Sequence, residues 1–201
     1  MTGGGGERVK NRKRILLIVC LCVCCAAAVI AVRNYGRVSL AERSGWKTAA
    51  VPATVRGQAA GRSGPGMQYD TEDDFAREGE SVTALSAAYD ETAGTWWIQT
   101  EYIRQNEKRR AYTEAAYLDV SVSDLPVETV QRDSVVVNRS VYAYWGPGYE
   151  YSMYRDQIRY GTQGTVWQAE NGYAQLEIND GRNGTLRRVW VPENALEAPN
   201  G

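Results

Sequence analysis

The chain has 201 residues, with 23 Lys and Arg, 24 Asp and Glu and no His. Hydrophobic residues make up 43% and charged ones 23%, the balance of a packed globular protein rather than a disordered or collagen-like one. The missing His removes Ser-His-Asp and Cys-His nucleophiles, His-bound zinc and the imidazole pH switch.

The net charge of −1 conceals a strong polarity. Residues 1–14 carry +4, residues 33–62 carry +5, and residues 63–201 set 12 basic against 22 acidic side chains. An acidic globular part repels phosphates, so no nucleic-acid partner is expected.

In chain order, residues 1–14 read as a basic cytoplasmic tail. Ile15 to Val32 follow, eighteen residues without a polar side chain; as a helix they would span roughly 27 Å, close to a bilayer core. The Lys10-Asn11-Arg12-Lys13-Arg14 cluster predicts a cytoplasmic N-terminus by the positive-inside bias, although Arg33 and Arg37 beyond the run oppose it. This reading makes residues 15–32 a single transmembrane anchor in the cell membrane, with the C-terminal part extracytoplasmic. The alternative is a signal peptide cleaved after the small residues Ala26-Ala27-Ala28, with the remainder secreted. Both export the rest of the chain. All four cysteines (Cys20, Cys22, Cys24, Cys25) sit inside the apolar run, so none serves the exported part as zinc ligand, thiol or disulfide. Residues 33–50 read as a basic linker, either a solvated tether or a segment drawn to anionic lipid or wall polymers.

The exported part repeats itself. Gly64-Pro65-Gly66-Met67-Gln68-Tyr69 returns as Gly146-Pro147-Gly148-Tyr149-Glu150-Tyr151, an offset of 82, which also relates Gly79 to Gly161. Trp97-Ile98-Gln99 matches Tyr173-Ala174-Gln175 at offset 76, and Arg109-Arg110-Ala111-Tyr112 matches Arg187-Arg188-Val189-Trp190 at offset 78. Each copy reads as short strands and turns without an amphipathic helix. Asn171-Gly172 is a hairpin signal, and Asp180-Gly181 with Asn183-Gly184 marks a second, longer tip. The fold class expected is all-β, with two tandem small barrels at residues 51–120 and 136–198 joined by a linker at 121–135.

The order Arg62-Ser63-Gly64-Pro65-Gly66, Tyr69, Gly79, Trp96-Trp97-Ile98, Tyr112 and Tyr117-Leu118-Asp119 resembles the bacterial Src-homology-3 domain family. The close of the second copy, Trp190-Val191-Pro192-Glu193-Asn194-Ala195-Leu196-Glu197, is similar to that family's last strand and short helical turn. The resemblance implies two tandem Src-homology-3-like barrels of a kind that often targets cell walls. It also implies a groove in which Trp96 meets ligand, with Tyr117 and Tyr69 nearby. The second copy departs from the pattern, with Gly172 in the place of Trp96 and Tyr144-Trp145 in the place of Arg-Ser.

Eighteen of the chain's 20 aromatic residues follow residue 50, and seven fall between residues 142 and 160. Tyr142 and Tyr144 share a face in an extended strand, as do Tyr149 and Tyr151 if that stretch is extended. Such rows either stack on sugars and clasp peptides or fill the core and the seam between barrels. Trp96 and Trp97 must point to opposite faces, one of them inward. The Gly-Pro-Gly pairs are turns, because neither opens a helix with the Lys-Ser/Thr of a phosphate cradle. The acidic run Asp70, Glu72, Asp73, Asp74 lacks the glycine and closing glutamate of a calcium loop and reads as a solvated loop. These observations lead to an expected non-catalytic binding protein of the bacterial cell envelope, without cofactor or metal. It would recognise peptidoglycan peptide or glycan through Tyr69, Trp96, Tyr117, Tyr142, Tyr144, Tyr149 and Tyr151. The alternative is an assembly or sensor subunit that binds an envelope protein.

Overall fold

The computed structural model describes residues 47–129, 133–179 and 184–199, all within the unit Leu40–Gly201. The expected tail at 1–14, the anchor at 15–32 and most of the basic linker lie outside the described residues. Among the described residues, no helix is long and apolar enough to cross a membrane.

The described chain is mostly β and forms two antiparallel sheets. The first contains β1 (Val51–Thr54), β2 (Gly61–Arg62), β3 (Thr71–Glu72), β4 (Ser81–Asp90), β5 (Thr95–Arg104) and β6 (Glu107–Glu114), in the order β1-β4-β5-β6-β2-β3. The second contains β7 (Asp133–Val137), β8 (Val141–Tyr144), β9 (Met153–Ile158), β10 (Gln163–Glu170), β11 (Tyr173–Asn179), β12 (Leu186–Pro192) and β13 (Leu196–Glu197), in the order β13-β7-β10-β11-β12-β8-β9. The orders coincide strand for strand at the sequence offsets. In place of β13, the first copy has a single bridge between Val55 and Leu118. Short 3₁₀ turns at Ala115–Tyr117 and Glu193–Ala195 close the two copies.

Local chemistry accounts for the shared plan. Asn171 (φ 53°) and Gly172 (φ 78°) form the expected β10–β11 hairpin turn, both in the left-handed region that Asn and Gly tolerate. Gly79 and Gly161 adopt φ of 81° and 79°, and a Cβ at either would meet nothing within 4 Å. Backbone conformation rather than space therefore calls for glycine there. Bulges interrupt β4 between Ala84 and Ser86 and β10 between Val166 and Gln168. The extra residues, Leu85 and Trp167, are again 82 apart.

Along β5, Ile98 and Tyr102 face the first sheet's core with Ala53, Phe75 and Leu118. Trp97, Gln99 and Glu101 alternate to the opposite face. Along β11, Ala174, Leu176 and Ile178 face the second core with Val137, Val166 and Val189, leaving Tyr173, Gln175 and Glu177 on the other side. Complete burial of a side chain such as Ile98 or Leu176 contributes about 1.5–3 kcal/mol each.

The outer faces are polar, and residues from the two sheets bond to one another there. Tyr69 donates its hydroxyl to Glu177 of β11, and Tyr151 donates to Glu101 of β5. Arg188 pairs with Glu177 at 2.8 Å and Arg110 with Glu101 at 2.9 Å. Each Tyr-Glu-Arg set recurs at offsets 82, 76 and 78, so the sequence repeat reappears as a reciprocal exchange across one seam. Parallel bridges from Tyr69 to Leu186 and from Lys108 to Tyr151 complete the exchange.

Two sequence expectations need correction. The segment expected as a linker at 121–135 packs into the structure: Val122–Asp124 forms a 3₁₀ turn, Val127 bridges Ala87 of β4, and β7 already begins at Asp133. Glu128 inserts between the sheets, accepting bonds from Ser86 at 3.0 Å, Tyr112 at 2.8 Å and Arg188 at 3.2 Å. The acidic run is no solvated loop either. Glu72 is buried on the Tyr102 hydroxyl and Arg109, Asp70 accepts from Tyr154 and Arg155, and Asp74 pairs with Arg104. Carboxylates placed beside guanidinium groups and buried hydroxyls exchange water for charge-assisted bonds.

Candidate functional site: an aromatic platform on the second sheet

The seven residues singled out by sequence separate into three neighbourhoods. Tyr69 and Tyr151 are buried in the seam at 5% and 6% exposure, so neither stands on the outer surface. Burial raises both hydroxyl pKa values, and the carboxylates they bond to raise them further. Each ring packs over a glycine: a Cβ at Gly64 would come within 2.3 Å of Tyr69, and one at Gly146 within 2.0 Å of Tyr151. This close approach explains why the Gly-Pro-Gly turn and the tyrosine five residues later recur together.

Trp96 and Tyr117 form no shared cluster with Tyr69. Trp96 is half-buried, leans on the first core and packs against Tyr89 with ring centroids 5.1 Å apart. Tyr117 stands exposed on its 3₁₀ turn. The neighbouring Trp97 is buried with Ala88 and Tyr112, as strand alternation requires.

The remaining three residues come together on the second sheet. Val141 and Ala143 of β8 enter the core, so Tyr142 and Tyr144 face outward. The Gly146-Pro147-Gly148 turn carries Tyr149 back over Tyr144, and Tyr173 of β11 completes the group. All three ring pairs are edge to face: Tyr144–Tyr149 at 5.5 Å, Tyr149–Tyr173 at 5.6 Å and Tyr144–Tyr173 at 6.0 Å. Such pairs contribute about 0.5–1.5 kcal/mol each beyond area burial. Tyr149 remains 76% exposed on top, with Tyr142 and Met153 beside it at 57% each; Met153 is the β9 partner of Tyr144.

Two of the platform hydroxyls, those of Tyr144 and Tyr173, are shifted upward. Burial, then proximity to the Tyr149 and Tyr142 hydroxyls, raises the Tyr144 pKa. Burial and the neighbouring Tyr149 hydroxyl raise that of Tyr173. The platform offers flat apolar ring faces with hydroxyl donor–acceptor rims, suited to stacking on a sugar ring or packing along a peptide. Among the described residues, no group of three or more Cys, Asp or Glu is arranged to hold a metal.

Sequence reasoning missed Tyr173 as a platform member and Glu128 as a seam member. Tyr173 had a signal, since it occupies the place of Trp97 in the repeat. Glu128 had none, because it lies in the segment between the copies.

The sequence matches no protein-family model and no curated protein. A solved structure described as "CBDP35 SeMet structure" aligns with 76% of this chain and 99% of its own at 10% identity and a TM-score of 0.20. A likeness that slight carries no argument about fold or function.

Proposed function

We propose that the chain is a non-catalytic binding protein of the bacterial cell envelope. Its two sheets are Src-homology-3-like barrels that recognise cell-wall peptide or glycan outside the cytoplasm, held there by a membrane anchor at residues 15–32. The observation that carries the reading is the platform. Three tyrosines interlock edge to face with the outermost 76% exposed, and contiguous exposed apolar surface, unlike single exposed side chains, marks contact sites. The apolar run at 15–32 and the basic residues before it support export. The family-like order of motifs in both copies supports the barrel assignment.

The test is retention of the full-length chain on purified, protein-free cell walls. Retention that Tyr149→Ala reduces supports wall recognition. No retention, with co-purification of an envelope protein instead, replaces it with the assembly-subunit reading. Protease added outside intact cells should digest the part beyond residue 33 and spare residues 1–14; a secreted product beginning near Val29 would replace anchor with signal peptide.

A further inference from the structure

The two halves of the seam share one plan and diverge in the partner given to each arginine. Glu170, at the end of β10, holds Arg110 with two bonds of 2.7 and 3.0 Å. The corresponding residue of β4 is Ala88, which stands opposite Trp97 as Glu170 stands opposite Tyr173. A methyl group cannot reach a guanidinium, so Arg188 takes Glu128 from the connecting segment instead, at 3.2 Å. A cleft of about 360 Å³ opens beside Ala88, within the size range of small-ligand sites.

The lining of this cleft has a definite chemistry. Trp167 contributes from the second sheet, and Tyr69 and Tyr89 from the first. Four carboxylates line it (Asp90, Glu91, Glu128, Glu177) against the single guanidinium of Arg188. That guanidinium is fully engaged: it donates to Glu177, Glu128 and the Tyr69 hydroxyl, and lies 3.6 Å from the centroid of Trp167. Asp90 uses one oxygen to accept the amides of Thr92 and Ala93, and Glu91 is exposed beside it. An anion entering the cleft would meet an excess of three negative charges. Aromatic walls supply no ligands to a hard metal ion, but their faces attract organic cations.

We infer that this seam cleft binds an alkylammonium group, as on a lysine-containing peptide, with the methylene stem against Tyr89 and Trp167 and the charge at Asp90 and Glu91. The cleft is separate from the tyrosine platform, so the inference stands apart from the wall-binding proposal.

The test is calorimetric titration of the full-length chain with the blocked tripeptide acetyl-Gly-Lys-Gly-amide. The same peptide with an acetylated lysine side chain serves as the control. The amine peptide should bind and the acetylated one should not. Glu91→Gln, at an exposed position, should weaken binding about tenfold. Ala88→Glu, which places a carboxylate where the other half of the seam has one, should abolish it. Equal binding of the two peptides, no heat from the amine peptide at millimolar concentration, or unchanged affinity in Glu91→Gln would overturn the inference. Because Glu91→Gln removes no contact of the fold, it decides the question even if Ala88→Glu fails to fold.

Discussion

The two copies build the same Gly-Pro-Gly turn and hold it in different ways. In both, the chain closes on itself with equivalent backbone bonds: Ser63 to Asp70 at 2.8 Å in the first, Trp145 to Ser152 at 2.9 Å in the second. In the first copy Arg62 reaches over the turn and donates to the carbonyls of Met67 and Tyr69, at 3.2 and 2.7 Å. In the second copy the corresponding residue is Tyr144, and the turn is topped by three interlocked rings. A guanidinium satisfies its own loop and leaves little to offer a partner. Rings that meet edge to face secure the loop while keeping apolar surface and hydroxyl rims open to solvent. A repeat can thus keep one backbone plan and leave an open aromatic surface over the turn in one copy only.

The largest effect that could break this comparison lies in the seam. Removing one partner of a buried ion pair leaves an uncompensated charge, at a cost of about 3–5 kcal/mol. Arg188 and Glu128 both have side chains 2% exposed, whereas Glu170, the partner of Arg110, is 27% exposed. Glu128→Ala should therefore lower the urea midpoint more than Glu170→Ala. No loss in Glu128→Ala would mean that the connecting segment is no part of the seam's support.

A somewhat smaller effect tests the symmetry of the turns. Gly64→Ala and Gly146→Ala each push a Cβ into the ring of the packed tyrosine, and overpacking of this kind costs about 1–3 kcal/mol. Both substitutions should destabilise to a similar degree in chemical denaturation. A neutral result at either position would show that its tyrosine is not held against the turn.

These turns mark where the sequence was readable and where it was not. Turn glycines, the Asn171-Gly172 hairpin and the offsets of 82, 76 and 78 depend on local backbone rules, so the all-β character and the duplication could be anticipated. The destination of Tyr69 and Tyr151 could not be, since a solvent-facing tyrosine and a seam tyrosine obey the same alternation. Their partners Glu177 and Glu101 lie 108 and 50 residues away. One clue did exist: Glu101 and Arg110 recur as Glu177 and Arg188 on faces pointing away from the cores, and charged pairs repeated on a second face imply that something covers it. Glu128 belongs to neither copy, so no repeat could reveal it.

A finer contrast lies in how the two halves of the seam respond to acid. Burial alone would raise the Glu101 pKa, but the Tyr151 hydroxyl and Arg110 outweigh it and hold the carboxyl below the ordinary 4.5. Its contribution to stability is present above pH 4.5 and lost as pH falls through the lowered folded value. Burial raises Glu128 above 4.5 despite Arg188 and Tyr112, so its contribution is present below 4.5 and lost as pH rises through the raised value. Denaturation between about pH 3 and 7 should show a shallower acid loss in Tyr151→Phe than in the unaltered protein. An unchanged acid slope would remove the Tyr151 bond as its cause.

The central claim is that the second copy's platform is the contact surface and its counterpart in the first copy is not. Met67 occupies the place of Tyr149 and is also exposed, at 62%, which makes the pair a matched comparison. Met67→Ala should keep its stability within about 0.5 kcal/mol, as exposed positions do, whereas Tyr149→Ala gives up two ring pairs of about 0.5–1.5 kcal/mol each, so binding is measured where both variants remain folded. On purified cell walls, Tyr149→Ala should reduce the affinity of the full-length chain at least tenfold, about 1.4 kcal/mol, while Met67→Ala leaves it unchanged. Equal losses in the two variants, or wall affinity indifferent to Tyr149, would contradict the account.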